Sequence, residues 1–571
     1  MSRTPAHRLT AVAGAAALVL GGCSALGGDD DGDGGSGTAS APTAGPSSQP
    51  RETGVETFER PAEGRDWVVL VDEPGDTARV ADELETQGLA PTSVNRGVGM
   101  VTFRSTEDDA GETAEAVDGV GAAVTDREVG WTNPEEPEPT AGGDLPAADE
   151  LPDPPDAPEG GDPLDGELWG MAAIDVAGAR EVTSGRREVR VGVIDTGVDA
   201  RHPDLGPNLD SGLSRTFVTD MPDIDGECEH ESCVDPVGED GGGHGSHVAG
   251  TIAAAKNDLG VTGVAPDVTL VDLRAGQDSG FFFLGPSVNA IAYAADQELD
   301  VVNMSFYVDP WLYACEGGAE GDSPEQATTQ DVTIELVRRA LELAHDKGVT
   351  MVASAGNSSA DLADPGTDDT SPNFGGDPRT RDIDPERCYD LPLEGPHVIG
   401  VSSVDEDRGL SGFSNYTSEP DGDDLEIAGP GGADGSGDGI LSAAPRSVMR
   451  AQGQVDDEGR VTEDGARAGL TRSCPDGMDV TDPDPDGRCG LYALAQGTSM
   501  ASPHVAGVAA LVISAKGERM APDDVAEALG RTARDQACPS GGGGGRPECV
   551  GDDQRNGHVG EGVVDAAVAV R

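Results

Sequence analysis

The segment from Gly497 to His504 carries a serine in a setting suited to nucleophilic catalysis. The residues after Ser499 predict a helix, so this serine would present its hydroxyl at the N-terminus of that helix. A serine hydroxyl becomes an effective nucleophile only when a base removes its proton. Ser499 is therefore a candidate nucleophile if the fold brings a base and an acid to it.

Two upstream segments supply that base and acid. Asp195 follows the apolar run 191–194, and His244 lies in the glycine-rich segment 243–250. Imidazole titrates near neutral pH, and a buried carboxylate fixes its tautomer and stabilises the imidazolium. We predict that Ser499 attacks, that His244 transfers the proton and that Asp195 orients His244.

A further segment supplies an amide. Asn357 follows the apolar run 349–353, which predicts a buried strand that ends just before it. An amide N–H at such a position can donate to the oxyanion of a tetrahedral intermediate. We therefore include Asn357 among the predicted catalytic residues.

These four segments resemble those of the subtilisin-like serine protease (subtilase) family, whose triad runs in the chain order Asp, His, Ser. The resemblance covers residues 165–571 and implies an exported bacterial serine endopeptidase that hydrolyses peptide bonds through an acyl-enzyme. Two alternatives stay open: a processing protease dedicated to one peptide or secretion partner, and a catalytically silent binding protein that keeps the fold. The presence of all four residues argues against the silent protein.

The same region alternates short Val- and Ile-rich runs with helical patterns. Strands are predicted at residues 189–194, 268–273, 301–304, 350–353 and 398–401, and helices at 286–297 and 333–347. This alternation predicts an α/β fold, a parallel sheet with helices on both faces and with the candidate residues at strand ends and helix starts. Surface loops are predicted in the Gly- and Asp-rich insertions 219–242, 308–330, 358–390 and 431–492.

Residues 55–132 have the pattern of a separate small domain. Strands are predicted at 67–71, in two parts of 93–104 and at 122–131, with helices at 76–88 and 107–117. Before a subtilase body, this order resembles the family's inhibitory propeptide, an α+β ferredoxin-like domain whose C-terminal tail blocks the active site of the zymogen. An adhesion or binding module is the alternative. The Pro-, Glu- and Asp-rich residues 133–164 predict an acidic linker.

The N-terminus has the features of an export signal. Two arginines precede the apolar run 9–20, which is too short to span a membrane and typical of a secretion signal. Residues 20–23 resemble the bacterial lipobox, which implies a signal peptide of residues 1–22 and lipidation of Cys23. Ordinary signal cleavage nearby is the alternative.

A lipid on Cys23 would anchor the exported protein to the outer face of the cell membrane without a spanning helix. Residues 23–54 are Gly-, Ser- and Asp-rich with almost nothing to bury, so they predict a disordered tether.

The other eight cysteines are an even number in an exported chain, which favours disulfides over a metal site. Their order in the sequence suggests the pairs Cys228–Cys233, Cys315–Cys388, Cys474–Cys489 and Cys538–Cys549.

The charge of the chain limits its partners. With 107 acidic against 37 basic residues, the net charge of -70 would repel phosphate and excludes nucleic acid. We expect a monomer whose partner is a peptide or protein substrate.

The family resemblance also implies a structural calcium ion. Asp204 and Asn257 match positions of the family's high-affinity calcium site, in which the carbonyl oxygens of Ala255, Leu259 and Val261 would complete the ligand set, with Asp165 as a further candidate. Hard oxygen ligands from a bent loop suit calcium. His244 and His247 could also suggest a metal pair, although no third ligand motif follows them.

The resemblance places the substrate pocket between two strand ends, formed by Ser305, Phe306 and Tyr307 and by Ser354, Ala355 and Gly356. Relatives usually carry Ser, a small apolar residue and Gly in the first segment. Tyr307 departs from that pattern, so the broad hydrophobic preference of the family does not transfer directly.

Overall fold

The computed structural model describes residues 54–126 and 161–571, except 59, 62, 227, 229, 231, 374–378, 423, 434–438 and 540–546. The predicted signal, Cys23, nearly all of the tether and most of the acidic linker lie outside the described residues. The described chain has an N-terminal part, residues 54–126, and a body, residues 161–571.

The N-terminal part is an antiparallel sheet with two helices. Its strands are Val55–Thr57 (β1), Arg65–Val71 (β2), Pro91–Asn95 (β3), Met100–Ser105 (β4) and Val120–Thr125 (β5), and its helices are Thr77–Thr86 (α1) and Ala110–Glu115 (α2). The sheet order is β1-β3-β4-β2-β5. Its last four strands have the ferredoxin-like order, and β1 is an added edge strand too short for its pattern to be recognised.

Both faces of this sheet are buried, because successive side chains of a strand point to opposite faces. On β2, Val69 and Val71 pack into the core that α1 and α2 cover. Val68, the neighbour of Val69 in the sequence, packs instead into a core shared with the body, as do Met100 and Val124. The N-terminal part therefore uses its second face to dock on the body.

The body contains fourteen strands and eleven helices in the described residues. The strands are Arg190–Ile194 (β6), Arg215–Thr216 (β7), Thr269–Arg274 (β8), Val301–Met304 (β9), Ala314–Cys315 (β10), Thr350–Ser354 (β11), Thr367–Asp368 (β12), Arg381–Asp382 (β13), Cys388–Tyr389 (β14), Val398–Val404 (β15), Ile427–Pro430 (β16), Ile440–Ala443 (β17), Thr471–Ser473 (β18) and Gly490–Ala495 (β19). The helices are Trp169–Ala173 (α3), Val176–Arg180 (α4), Pro222–Asp225 (α5), His244–Ala253 (α6), Leu284–Asp296 (α7), Pro324–Asp346 (α8), Arg446–Ala451 (α9), Glu463–Arg467 (α10), Thr498–Lys516 (α11), Pro522–Thr532 (α12) and Ala566–Ala569 (α13).

A seven-stranded sheet in the order β16-β15-β11-β9-β6-β8-β7 forms the centre of the body. All of its strand pairs are parallel. Val301 of β9 packs toward α6 and α11 on one face, whereas Val302 packs toward α7 and α8 on the other. The predicted α/β fold with helices on both faces is confirmed.

Two predicted surface loops are partly wrong. Residues 324–330 belong to α8, which begins nine residues before its predicted start because Ser323 and Gln326 form a capping box at its N-terminus. Within 431–492, β17, β18 and β19 form a small sheet, and α9 packs on it around the buried Val448 and Leu491.

All four predicted cysteine pairs are present as disulfides. Among the described residues, one helix, α11, has the length and hydropathy of a membrane span, but 89% of its apolar window is buried inside the protein. This burial identifies α11 as a core helix of the body.

The N-terminal part docks on α7 and α8 through polar contacts as well as apolar ones. Asn95 Nδ2 donates to Asn289 Oδ1 at 3.1 Å, and Asn289 Nδ2 donates to Ser93 Oγ at 3.1 Å. Arg339 of α8 donates to the carbonyl oxygens of Val71 and Val98 in the N-terminal part.

The N-terminus of α7 receives a carboxylate from the N-terminal part. Gly285 N donates to Asp126 Oδ1 at 3.1 Å. A helix N-terminus favours such a negative charge, and this contact holds the end of β5 on the body.

Candidate active site

The predicted residues gather at one edge of the body sheet. Asp195 directly follows β6, Ser305 directly follows β9, and Asn357 lies three residues beyond β11. These three strands are neighbours and run parallel, so their carboxyl ends share an edge. The fold thus brings Asp195, Ser305 and Asn357 together from distant parts of the sequence.

Asp195 and His244 form a hydrogen-bonded pair. His244 is the first residue of α6, and its Nδ1 lies 2.8 Å from Asp195 Oδ1. Burial lowers the pKa of His244, but the charge and hydrogen bond of Asp195 outweigh burial, so the pKa lies above its usual value. With Nδ1 donating to the carboxylate, Nε2 is left as the proton acceptor.

A residue that the sequence did not single out organises this pair. Asp240 Oδ1 accepts hydrogen bonds from Thr196 Oγ1 at 2.9 Å and Gly243 N at 2.7 Å, and its Oδ2 accepts from Ser246 N at 2.8 Å. It therefore links the turn after β6 to the first turn of α6. An aspartate just before a predicted helix start was the available signal.

Ser499 is the second residue of α11, which packs against α6. Its Oγ donates to the carbonyl oxygen of Ser305 at 3.4 Å. Within the described part of the chain, no hydrogen bond joins Ser499 to His244. Catalytic hydrogen bonds often tighten only when substrate is bound, so the missing bond does not remove Ser499 from the candidates.

Asn357 and the first turn of α11 provide two unused donors. Asn357 Oδ1 accepts from Thr498 N at 2.8 Å and Thr498 Oγ1 at 2.9 Å. Among the described residues, neither Asn357 Nδ2 nor the N–H of Ser499 has a partner, the latter as expected in the first turn of a helix. A Cβ on Gly497 would lie 3.6 Å from both nitrogens, so the two donors lie on the same side of Gly497 and close to each other. Together they could bind an oxyanion.

The other histidines near this edge have structural contacts. Nε2 of His247 lies 2.9 Å from the carbonyl oxygen of Ile440 and 3.1 Å from that of Ala493, and burial lowers its pKa to about 4. These contacts engage Nε2 of His247 with the backbone. They leave the hypothesis of a metal bound by His244 and His247 without support.

The segments predicted to line the substrate pocket have mixed roles. Ser305 Oγ lies 2.8 Å from Ser502 Oγ, and the ring of Phe306 stacks on Phe282 at 4.3 Å between centroids. Tyr307 is partly exposed, and its hydroxyl accepts a hydrogen bond from Asn373 Nδ2 at 2.7 Å.

In the second segment predicted to line the pocket, Ala355 is buried, whereas Ser354 and Gly356 are partly exposed. Gly356 N donates to Thr498 Oγ1 at 3.0 Å, which ties this segment to the first turn of α11.

The predicted calcium ligands come from two segments that meet, the turn at Asp204 and the loop 255–261. Asn257 Nδ2 lies 3.1 Å from Asp204 Oδ1, and burial raises the pKa of Asp204 to about 7. The carbonyl oxygens of Ala255, Leu259 and Val261 accept no hydrogen bond from any described residue, although all three residues are buried. Carbonyl oxygens without other partners, beside a carboxylate, are donors that fit calcium. Asn257 Oδ1 accepts a hydrogen bond from Leu259 N at 3.0 Å, so the carbonyl oxygens and Asp204 make up the better part of the set.

Asp165, the further ligand considered, contacts the end of the same loop. It accepts hydrogen bonds from Thr262 N and Thr262 Oγ1. The buried Asp162, which the sequence placed in the linker, accepts from the backbone of Asn257 and Asp258 and so holds the same loop.

Comparison with protein-family models matches residues 186–562 to the subtilase family. The chain is 28% identical over 326 residues to Subtilisin DY of Bacillus licheniformis, covering 57% of this chain and 77% of the relative. It is 29% identical over 343 residues to an intracellular serine protease of Paenibacillus polymyxa, covering 60% of this chain and 72% of the relative.

Among solved structures, the chain is similar to the epidermin leader peptide processing serine protease of Staphylococcus aureus. The TM-score is 0.58 at 20% identity, and the match covers 89% of this chain and 98% of the other. This likeness concerns the fold.

Proposed function

The chain belongs to the subtilase family and is a serine endopeptidase, and we propose that it cleaves peptide bonds through an acyl-enzyme on Ser499. The observation that carries the residue assignment is the 2.8 Å pair of His244 and Asp195 at the sheet edge where α11 presents Ser499.

In the proposed mechanism, His244 Nε2 takes the Ser499 Oγ proton as Oγ bonds to the substrate carbonyl carbon. Asp195 stabilises the imidazolium, and Asn357 Nδ2 and the Ser499 N–H bind the oxyanion. The imidazolium then protonates the leaving amine, and water, deprotonated by His244, releases the acyl group.

Replacement of the nucleophile tests this assignment. Ser499→Ala should lower peptide hydrolysis by roughly a thousandfold or more. Ser514→Ala is the matched control, because Ser514 lies on the same helix, is buried and has an Oγ without a partner among the described residues. Equal loss in both variants, or retained activity in Ser499→Ala, would remove Ser499 from the mechanism.

We further propose that residues 55–132 are an inhibitory propeptide and that the protein is made as a zymogen. The docked sheet, the reciprocal Asn95–Asn289 contact and Asp126 at the N-terminus of α7 support this proposal. The segment prepared separately should inhibit the mature body. Absence of inhibition at concentrations well above that of the enzyme would favour an accessory binding domain.

Export and a lipid anchor on Cys23 are proposed from the N-terminal sequence. Four disulfides are consistent with an oxidising compartment outside the cytosol. Cys23→Ser should release the protein from the membrane into the medium, and a mature N-terminus beyond Cys23 would contradict the anchor.

We propose that Asp204 and the loop 255–261 hold a structural calcium ion, since the carbonyl oxygens of Ala255, Leu259 and Val261 have no hydrogen-bond partner among the described residues. The ion would stabilise the fold and take no part in the reaction. Chelation should lower the melting temperature by several degrees. An unchanged value with and without calcium would exclude the ion.

A narrow specificity, as in a dedicated processing protease, is the second candidate. Tyr307 favours it, because its side chain is tied to Asn373 at the predicted pocket. Digestion of a peptide library should give cleavage at few sequences, whereas cleavage after many apolar residues would identify a general protease.

A further inference from the structure

Asp390 is a buried carboxylate that the mechanism does not use. It is 4% exposed, and its two carboxyl oxygens accept no hydrogen bond from any described residue. Burial raises its pKa to about 8, with no opposing effect from a described cation. Buried polar groups are normally hydrogen-bonded, so a buried carboxyl group without a partner among the described residues needs an explanation.

The position of Asp390 supplies one. A Cβ on Gly356 would lie 3.7 Å from Asp390 Oδ2, so the carboxylate reaches the residue directly before Asn357. On the other side, Val308 N donates to the carbonyl oxygen of Leu391 at 2.8 Å, which holds Asp390 beside the end of the Tyr307 segment. Asp390 therefore lies between the two segments that line the predicted substrate pocket.

Other acidic groups share this region. Burial raises the pKa of Tyr307, and the charges of Asp309 and Asp390 raise it further. The carboxyl oxygens of Asp309 accept from Phe282 N and Asn373 Nδ2, whereas those of Asp390 have no donor among the described residues. Glu394 accepts a hydrogen bond from the backbone N–H of Asp390. Burial raises the pKa of Asp309 to about 7 and that of Glu394 well above its usual value, and a cation beside these groups would favour their charged forms.

Arg381 forms its ion pairs with carboxylates other than Asp390. Arg381 is fully buried and pairs with Asp368 at 3.1 Å and with Asp322 at 3.7 Å. A cation for Asp390 must then come from outside the described residues, and the pocket is the route by which a substrate side chain would reach it.

We propose that Asp390 forms the base of the pocket for the substrate residue on the acyl side of the scissile bond, and that this pocket selects Arg or Lys. This inference rests on the proposed function and names its substrate class. An incoming guanidinium or ammonium group gives Asp390 the partner it lacks, and a guanidinium can bind a carboxylate with two parallel hydrogen bonds.

The test compares peptides that differ only at the acyl-side residue, with Arg, Lys, Gln, Leu or Glu. The wild-type protein should give the highest kcat/KM with Arg and Lys. In Asp390→Asn, the ratio of kcat/KM for Arg to that for Leu should fall by about a hundredfold or more, because the cation would be buried without a counter-charge. Asp369→Asn, which removes the same charge from an exposed position, should leave the ratio unchanged.

Benzamidine, a small amidinium cation, provides a measurement that needs no variant. It should inhibit the wild-type protein competitively. A wild-type preference for Leu, or an unchanged Arg-to-Leu ratio in Asp390→Asn, would overturn the inference. Labelling of Ser499 by a fluorophosphonate does not depend on the pocket, so labelling without cationic preference would refute the pocket alone, and absence of labelling would refute the proposed function.

Discussion

At the level of single residues, catalysis by Ser499 requires hydrogen-bond donors at the place where the negative charge of the oxyanion develops. Asn357 is oriented by Thr498, which takes its Oδ1 and leaves Nδ2 free. The amide would therefore act mainly on the oxyanion of the transition state and little on bound substrate.

Asn357→Ala should accordingly lower kcat by roughly a hundredfold to a thousandfold, with little change in KM. That magnitude is the one known for the loss of such a donor in a subtilisin, a relative of this chain. Steady-state kinetics on one peptide would measure it. A raised KM with an unchanged kcat would show that Asn357 binds substrate instead.

Residue types and spacing were sufficient to predict Asp195, His244, Ser499 and Asn357 as candidates. Asp240 and Asp390 were missed for a common reason. Each is one aspartate in a chain with 107 acidic residues, and only the fold shows that it is buried. Burial of a polar residue in a loop depends on contacts distant in sequence, so local patterns cannot reveal it.

At the scale of elements, the docking of β5 on α7 includes a titratable group. Burial raises the pKa of Asp126 from the ordinary 3.8 to about 7, while its hydrogen bond from Gly285 opposes the shift. The charges of Asp66 and Arg60 act on it in opposite directions. In the released segment, Asp126 would be solvated and its pKa ordinary.

The docked state therefore keeps a proton between about pH 4 and pH 7 that the released segment has lost, so docking weakens as the pH rises through this range. The separate segment should bind the Ser499→Ala body about tenfold or more tightly at pH 5 than at pH 8. Calorimetry would measure this. Asp126→Asn should remove most of the pH dependence, and an equal dependence in that variant would assign it to other groups.

The central strands of the body were predicted to within a few residues because strands buried on both faces read as continuous apolar runs. The start of α8 was missed because its first turns are polar and partly or fully exposed and therefore show no apolar periodicity. The capping box stabilises the start of the helix there instead. The short strands of 431–492 form only by pairing with one another, which local sequence does not specify.

At the scale of the whole molecule, the cationic pocket constrains maturation. Residues 128–179 contain no Lys or Arg, whereas Arg127 directly follows Asp126. A protein that cleaves after cationic residues can separate its own N-terminal part from the body only after Arg127.

Terminal sequencing of the mature protein, alongside Ser499→Ala, should show this. A new N-terminus at Glu128 should depend on Ser499, while any cut within 129–164 should persist in Ser499→Ala because another protease makes it. A cut within 129–164 that disappears in Ser499→Ala would contradict a pocket for cations.

The central claim is that Ser499 is a nucleophile activated by His244 and Asp195. Its most direct test is peptide mapping by mass spectrometry after reaction of the mature body with a fluorophosphonate. We expect one adduct on Ser499, formed in the Ser514→Ala control, lost in Ser499→Ala and strongly slowed in His244→Ala. An adduct on another serine, or labelling of Ser499 at an unchanged rate in His244→Ala, would contradict the account.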